Sequence, residues 1–103
     1  MTRLITQIES VEFDSHSVIG KTKVLAKGQV NTGGWSMPTL IDTGNTNGDG
    51  YNVLEFRAEP PAPGTIKTEA FVDVRAVLEL STTGLAGVEV KSASNSISKK
   101  YGP

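Results

Sequence analysis

The 103-residue chain has no cysteine, one histidine, one tryptophan and a net charge of only −1. The lack of cysteine excludes a disulfide framework, a thiolate nucleophile, a zinc site with cysteine ligands and an iron–sulfur cluster. Ten basic and eleven acidic side chains leave no excess positive charge to attract nucleic acid or an anionic membrane. We therefore expect no nucleic-acid partner, no membrane partner and no cofactor.

Long apolar runs are also lacking. No stretch approaches the roughly 20 apolar residues of a membrane span, and polar residues interrupt the first nine positions, so a signal peptide is not predicted. These features predict a soluble protein, cytoplasmic if Met1 is the native start. The length fits one domain over residues 1–103, with residues 98–103 as a flexible tail.

Valine, isoleucine and threonine supply 27 residues, which favours strands over helices. The longest alternation runs from Ile66 to Leu80, with apolar residues on one face and charged residues on the other. Five further strands are predicted, at Leu4–Phe13, Thr22–Thr32, Trp35–Thr43, Tyr51–Glu59 and Gly87–Ile97. This pattern predicts an all-β, antiparallel β-sandwich of the immunoglobulin-like kind, with a small β-barrel as the alternative.

Two of these strands carry irregularities. The apolar positions of Leu4–Phe13 change parity along the segment, which predicts a β-bulge near Ile8–Ser10. Pro38 lacks an N–H, so Trp35–Thr43 is expected at a sheet edge or broken at the proline. The proline-rich stretch that begins at Pro60 favours a rigid connector between strands.

The loop from Asp42 to Gly50 is predicted to be a flexible surface hairpin loop. Calcium binding by Asn45, Asn47 and Asp49 remains an alternative, because they match ligand positions of the EF-hand calcium loop. Phe56, however, stands where the bidentate glutamate of that loop belongs. His16, the only histidine, has no convergent nucleophile in the pattern and is expected in an exposed loop. With no phosphate-binding glycine motif either, the chain is not expected to be an enzyme.

The most distinctive stretch places the only tryptophan after two glycines. Gly33 and Gly34 permit a sharp turn, and Trp35 either plugs one end of the sandwich or stands out as an anchor for a partner. The plug is the favoured interpretation. If the chain has a binding surface, we expect it to comprise Gly33, Gly34, Trp35 and Met37.

Two resemblances follow from these residues. The run T-G-G-W-x-x-P-x-L from Thr32, with P-P-x-P-G from Pro60, resembles small uncharacterised bacterial β proteins, and it implies no function. The loop from Asn31 to Trp35 resembles the first binding loop of the chagasin-type cysteine-protease inhibitors, and Gly48-Asp49-Gly50 approximates their second. The third loop of that family has no counterpart here.

The sequence therefore predicts a non-enzymatic β-sandwich that binds a protein partner or serves in structural assembly. Self-association as a homodimer through an edge strand is part of this prediction. A cysteine-protease inhibitor and a calcium-binding domain are the alternatives.

Overall fold

The computed structural model describes residues 2–14, 19–64 and 69–102, and these residues form strands and no helix. The eight strands are β1 (Arg3–Leu4), β2 (Gln7–Asp14), β3 (Lys21–Val30), β4 (Ser36–Thr46), β5 (Asn52–Glu59), β6 (Val72–Ser81), β7 (Gly87–Lys91) and β8 (Ser96–Lys100). The described segments thus contain no helix with the length and apolar character that crossing a bilayer requires. The all-β prediction is confirmed.

The strands form two sheets that pack face to face. The small sheet has the order β2-β3-β6, and in the large sheet β5 pairs with β4 on one side and with β7 and β1 on the other, while β8 extends beyond β7. The β4 strand lies near β6 at one open side of the sandwich, and β2 lies near β8 at the other. The described parts of the two sheets do not join into one closed sheet. The predicted sandwich is therefore confirmed, and the described strands do not form the alternative, a small β-barrel.

The β3 strand lies at the centre of the small sheet, and its inward face is apolar except for Thr22. Val24, Ala26 and Val30 are buried on this face, while Lys23 and Lys27 lie on the other. On the opposing sheet Leu54 and Phe56 are wholly buried. Burial of these two apolar faces against each other supplies the main stabilisation of the sandwich.

The predicted β-bulge is present, and a glycine accommodates it. The register between β2 and β3 shifts between Ile8 and Ser10, and Gly28 is the residue that pairs with Ile8. A Cβ atom on Gly28 would collide with the carbonyl oxygen of Gln7 and with the side chain of Ile5. The bulge therefore brings the two backbones so close that only glycine fits on β3.

The predicted strand Leu4–Phe13 is divided between the two sheets. The Ile5 N–H donates to the carbonyl of Phe56 in the large sheet at 3.0 Å, and the Thr6 N–H donates to Gln29 in the small sheet at 3.1 Å. The prediction of a single continuous strand was wrong, because apolar alternation does not show which sheet each half of a segment joins.

The C-terminal segment also differs from its prediction. Gly87–Ile97 is not one strand, because a turn at Ser92–Asn95 separates β7 from β8. Ser98–Lys100 belongs to β8 and not to a tail, and the Tyr101 ring packs edge-on against Phe13 with centroids 5.1 Å apart. The β5–β7 pair is parallel, the one departure from antiparallel pairing among the described strands.

The remaining boundaries follow the prediction in part. Pro38 lies in the edge strand β4, where the register shifts between Ser36 and Thr39, as expected of a residue without an N–H. The β4 strand runs three residues beyond Thr43, through a second irregularity that follows Asp42. The β6 strand begins at Val72, well after the predicted start at Ile66, which lies outside the described residues.

We predict that Gly28→Ala lowers the free energy of unfolding by about 1–3 kcal/mol, because the added methyl group must displace backbone at the bulge. Chemical denaturation followed by circular dichroism measures this change. Gly48→Ala is the matched control, since a Cβ atom there meets no described atom within 4 Å. Equal stability of the two variants would contradict the close approach of β2 to β3.

Candidate functional site

The four predicted binding residues lie where β3 leads into β4, at one end of the sandwich. Gly34 adopts a φ of +88°, which L residues rarely reach, and so turns the chain toward β4. A Cβ atom on Gly34 would lie 3.1 Å from the Pro61 side chain, so the glycine turn and the proline-rich connector are in close contact. Of the two glycines, Gly34 is therefore the one that the geometry requires.

Trp35 lies between the two positions that the sequence left open, a buried plug and an exposed side chain. Its ring is half-buried and packs against the hydrophobic core. Its indole N–H donates to the Thr32 hydroxyl at 3.1 Å, which fixes the orientation of the ring. One part of Trp35 therefore closes the end of the sandwich and the rest faces solvent in a fixed position.

Two shallow hollows flank Trp35. One, of about 530 Å³, is lined by Arg3, Leu4, Thr6, Asn31, Trp35, Arg57, Ala93 and Ser94. The other, of about 480 Å³, is lined by Arg3, Asn31, Thr32, Trp35, Pro60, Pro61 and Pro63. Trp35, Arg3 and Asn31 belong to both hollows and form the ridge between them. We call the surface made of this ridge together with Gly33, Gly34 and Met37 the tryptophan face.

Sequence reasoning missed Arg3 and Arg57, because they lie on β1 and β5 and no local motif connects them to Trp35. Asn31 entered the prediction only through the loop that resembles the inhibitor family. Arg57 is held in place: its guanidinium donates to the Thr2 hydroxyl at 3.0 Å, to the Thr2 carbonyl at 2.9 Å and to Glu55 at 2.9 Å. Arg3 is exposed. The first hollow therefore has one fixed guanidinium, partly neutralised by Glu55, and a second on its exposed rim.

Met37 is the most unusual residue of the tryptophan face. Its side chain is 75% exposed, and its φ of 53° is the one positive value at a non-glycine residue among the described segments. The left-handed region costs an L residue roughly 1–2 kcal/mol, and Pro38 follows directly, which favours an extended conformation at Met37 instead. A large apolar side chain is thus held in solvent on strained backbone.

The second predicted set, Asn45, Asn47 and Asp49, lies at the far end of β4. Asn45 belongs to that strand, whereas Asn47 organises the turn that follows. The Asn47 side-chain oxygen accepts the N–H groups of Asp49 at 2.9 Å and Tyr51 at 3.0 Å, and its amide donates to Glu89 at 3.1 Å. An oxygen that already accepts two N–H groups is poorly placed to bind a cation, and Asn47 therefore acts as a turn residue.

Acidic and histidine side chains could also form a metal site if several of them converged. Within residues 2–14, 19–64 and 69–102, no three histidine, aspartate or glutamate side chains come together as a metal site would need. His16, expected in an exposed loop, lies outside the described residues.

Thr32→Val should make Trp35 fluorescence easier to quench with acrylamide, because the indole loses its hydrogen bond while the ring keeps its packing against the core. The wild type is expected to show quenching between that of free and fully buried indole. Thr39→Val is the control, since Thr39 is half-buried on β4 and does not bond to Trp35. Unchanged quenching in Thr32→Val would contradict the anchored orientation.

Asn47→Ala should lower the free energy of unfolding by about 1–3 kcal/mol, because two turn N–H groups lose their acceptor. Asn45→Ala, on an exposed residue of the same hairpin, should leave it nearly unchanged. Thermal melting with excess calcium and with chelator completes the test. A calcium-dependent rise in melting temperature that Asn47→Ala abolishes would show that the loop binds the cation after all.

Comparison with known proteins adds no relative to this description. The chain matches no protein-family model, no curated protein and no solved structure.

Proposed function

We propose that this chain is a non-enzymatic β-sandwich domain that binds a protein partner through the tryptophan face. The observation that carries the proposal is the pairing of an anchored, half-exposed Trp35 with a strained and exposed Met37 on adjoining backbone. Strained residues persist where the surrounding structure holds them, and they concentrate at functional sites. A residue with a purely structural role at position 37 would be expected to relax this strain.

The chemistry of the face suits a protein surface as its ligand. Aromatic residues, methionine and arginine are enriched in the buried centres of protein interfaces. Trp35 and Arg3 line both hollows, and the exposed Met37 follows Trp35 by two residues. A thioether adapts to irregular partners, while a fixed aromatic ring offers contact area at little entropic cost. The hollows on both sides of Trp35 provide space for side chains of the partner.

A protease-inhibitor role is less well supported. The two loops that resemble the inhibitor family are Asn31–Trp35, which precedes β4, and Gly48–Gly50, which follows it. An eleven-residue strand separates them by roughly 35 Å at about 3.3 Å per residue. Loops so far apart do not form one continuous binding edge against a single enzyme cleft.

Several finer attributes belong to this proposal and stay predictions. They are an immunoglobulin-like topology, kinship with small bacterial β proteins and a cytoplasmic location. The first two follow from the strand pattern and from the Thr32–Leu40 motif.

Met37→Asp should weaken partner binding about tenfold or more, because a carboxylate would replace a large exposed apolar side chain two residues from Trp35. The measurement is affinity capture from an extract of the source cells, with identification of bound proteins and titration of the one retained. Ile19→Asp is the matched control: Ile19 is a fully exposed apolar residue before β3, at the opposite end of the sandwich.

Thermal melting of both variants accompanies this experiment, so that loss of fold is not mistaken for loss of binding. Met37→Gly adds a second measure, since it removes the side chain while relaxing the strained φ. It should lose partner binding without losing stability. Full binding by both Met37 variants would contradict the proposal.

A further inference from the structure

In the described part of the chain five strands lie at sheet edges. Four of them are too short for, or carry features that oppose, pairing with another strand, and the first of these, β1, has only two residues. On β2, the register shifts between Ile8 and Ser10, and Asn95 bonds to the backbone N–H and carbonyl of Ile8 at 2.8 and 2.9 Å. The β4 strand is interrupted at Pro38, and β8 is five residues long and ends in two lysines. Irregularity, proline and lysine are the usual protection of sheet edges.

The β6 strand lacks this protection. It pairs with β3 in unbroken register over ten residues, from Val72 opposite Val30 to Ser81 opposite Lys21. It contains no proline, glycine or lysine. In the described part of the chain, β3 is its one hydrogen-bonded neighbour, so the other side of β6 presents a long, regular row of backbone groups. We call this side the β6 edge.

Exposed apolar side chains gather around the β6 edge. Val77 is 53% exposed at the middle of the strand, and Phe71 and Val72 are exposed at its start. Ile41, on the neighbouring β4 strand, is 39% exposed. Of the large apolar side chains exposed in the described segments, only Ile19 lies on neither β4 nor the β6 region. The apolar surface is therefore concentrated where a further strand would add to the small sheet.

The charge pattern of β6 matches that of a second copy of itself. Its outward-facing residues are Asp73, Arg75, Val77, Glu79 and Ser81. In an antiparallel pair related by a two-fold axis at Val77, Arg75 faces Glu79 of the second copy, and the axis repeats this contact. Val77 then faces its own counterpart across the axis.

An axis at Val74 also pairs Arg75 with the opposite charge of Asp73, but only residues 72–76 of each strand then overlap, against residues 73–81 for an axis at Val77. The other registers lack this complementarity. An axis at Arg75 or at Glu79 places like charges directly opposite each other, and an axis at Ala76 places Asp73 opposite Glu79. An axis at Leu78 pairs Arg75 with Ser81 and forms no ion pair. Because like charges opposite each other destabilise a strand pair and opposite charges stabilise it, Val77 is the favoured centre.

We propose that two copies of this chain associate through antiparallel pairing of their β6 edges about a two-fold axis at Val77, which joins the small sheets into one six-stranded sheet. The pairing gives hydrogen-bond partners to the backbone of the β6 edge, covers Val77, and forms two Arg75–Glu79 ion pairs between subunits. Glu79 already lies 3.4 Å from Lys21 of its own subunit, so each carboxylate would lie between two cations. This proposal uses a different surface from the tryptophan face.

Charge reversal tests the register. Arg75→Glu and Glu79→Arg should each raise the dimer dissociation constant about tenfold or more, measured by sedimentation equilibrium, because each replaces two attractive contacts with two repulsive ones. The double variant Arg75→Glu/Glu79→Arg should restore the dimer, since it recreates both ion pairs with the charges exchanged. Glu12→Arg, an exposed charge reversal on β2, is the control for net charge and should not change association.

Crosslinking tests the axis without relying on charge. The chain has no cysteine, so Val77→Cys introduces a single thiol. Residues directly opposite in an antiparallel pair have Cα atoms about 4.5–5.5 Å apart, within the range that a disulfide spans. With oxidised glutathione as oxidant, Val77→Cys should form a covalent dimer much faster than Ile19→Cys, whose side chain is more exposed.

A monomeric wild type in sedimentation, or equal crosslinking of the two cysteine variants, would overturn the proposal. So would a dimer that none of the β6 charge reversals weakens, because it would use another surface. Circular dichroism of each variant confirms that the fold is retained. Loss of partner capture by the Met37 variants bears only on the tryptophan face, so the two proposals can fail separately.

Discussion

The crossing of the chain between the two sheets at Ile5 and Thr6 is the constraint on which the architecture depends. Their N–H groups bond to opposite sheets, to Phe56 in one and Gln29 in the other, while their carbonyls accept the N–H groups of Ala93 at 2.8 Å and Ser94 at 3.1 Å. Two consecutive residues thus connect both sheets and the turn between β7 and β8. The Ile5 side chain is wholly buried, so apolar packing and backbone bonding hold the same point.

The crossing also builds the base of the tryptophan face. Leu4, Thr6 and Ser94 line the larger hollow beside Trp35, so the floor of that hollow consists of backbone bonded to both sheets. On the other side, contact of Gly34 with Pro61 supports the turn that precedes Trp35. The proposed binding role therefore places its loop on a rigid scaffold, where a strained residue such as Met37 can persist.

Local chemistry explains which parts of the fold could be predicted. The bulge after Ile8 was predictable because apolar residues change parity there, and the break in β4 because Pro38 lacks an N–H. The turn after β7 was missed because its serines lack periodicity, and its role depends on Asn95 reaching the distant Ile8. The sequence also could not show which strands are neighbours in a sheet, since the parallel pairing of β5 with β7 leaves no local pattern in it. For the same reason, sequence reasoning named the nearly contiguous residues Gly33, Gly34, Trp35 and Met37 but not Arg3 or Arg57, which line the hollow beside Trp35.

The two proposed surfaces have a geometric relation that bears on assembly. Val72 pairs with Val30, so the start of β6 lies at the end of the sandwich that carries Trp35. On each copy, a two-fold axis at Val77 lies five residues from that end. The two tryptophan faces are then about ten residues apart along the joined sheet, or roughly 33 Å at about 3.3 Å per residue. Because the strands are antiparallel, the two faces are at opposite ends of the dimer. Such a dimer is suited to bridging two partner molecules, and poorly suited to binding one small partner with both faces.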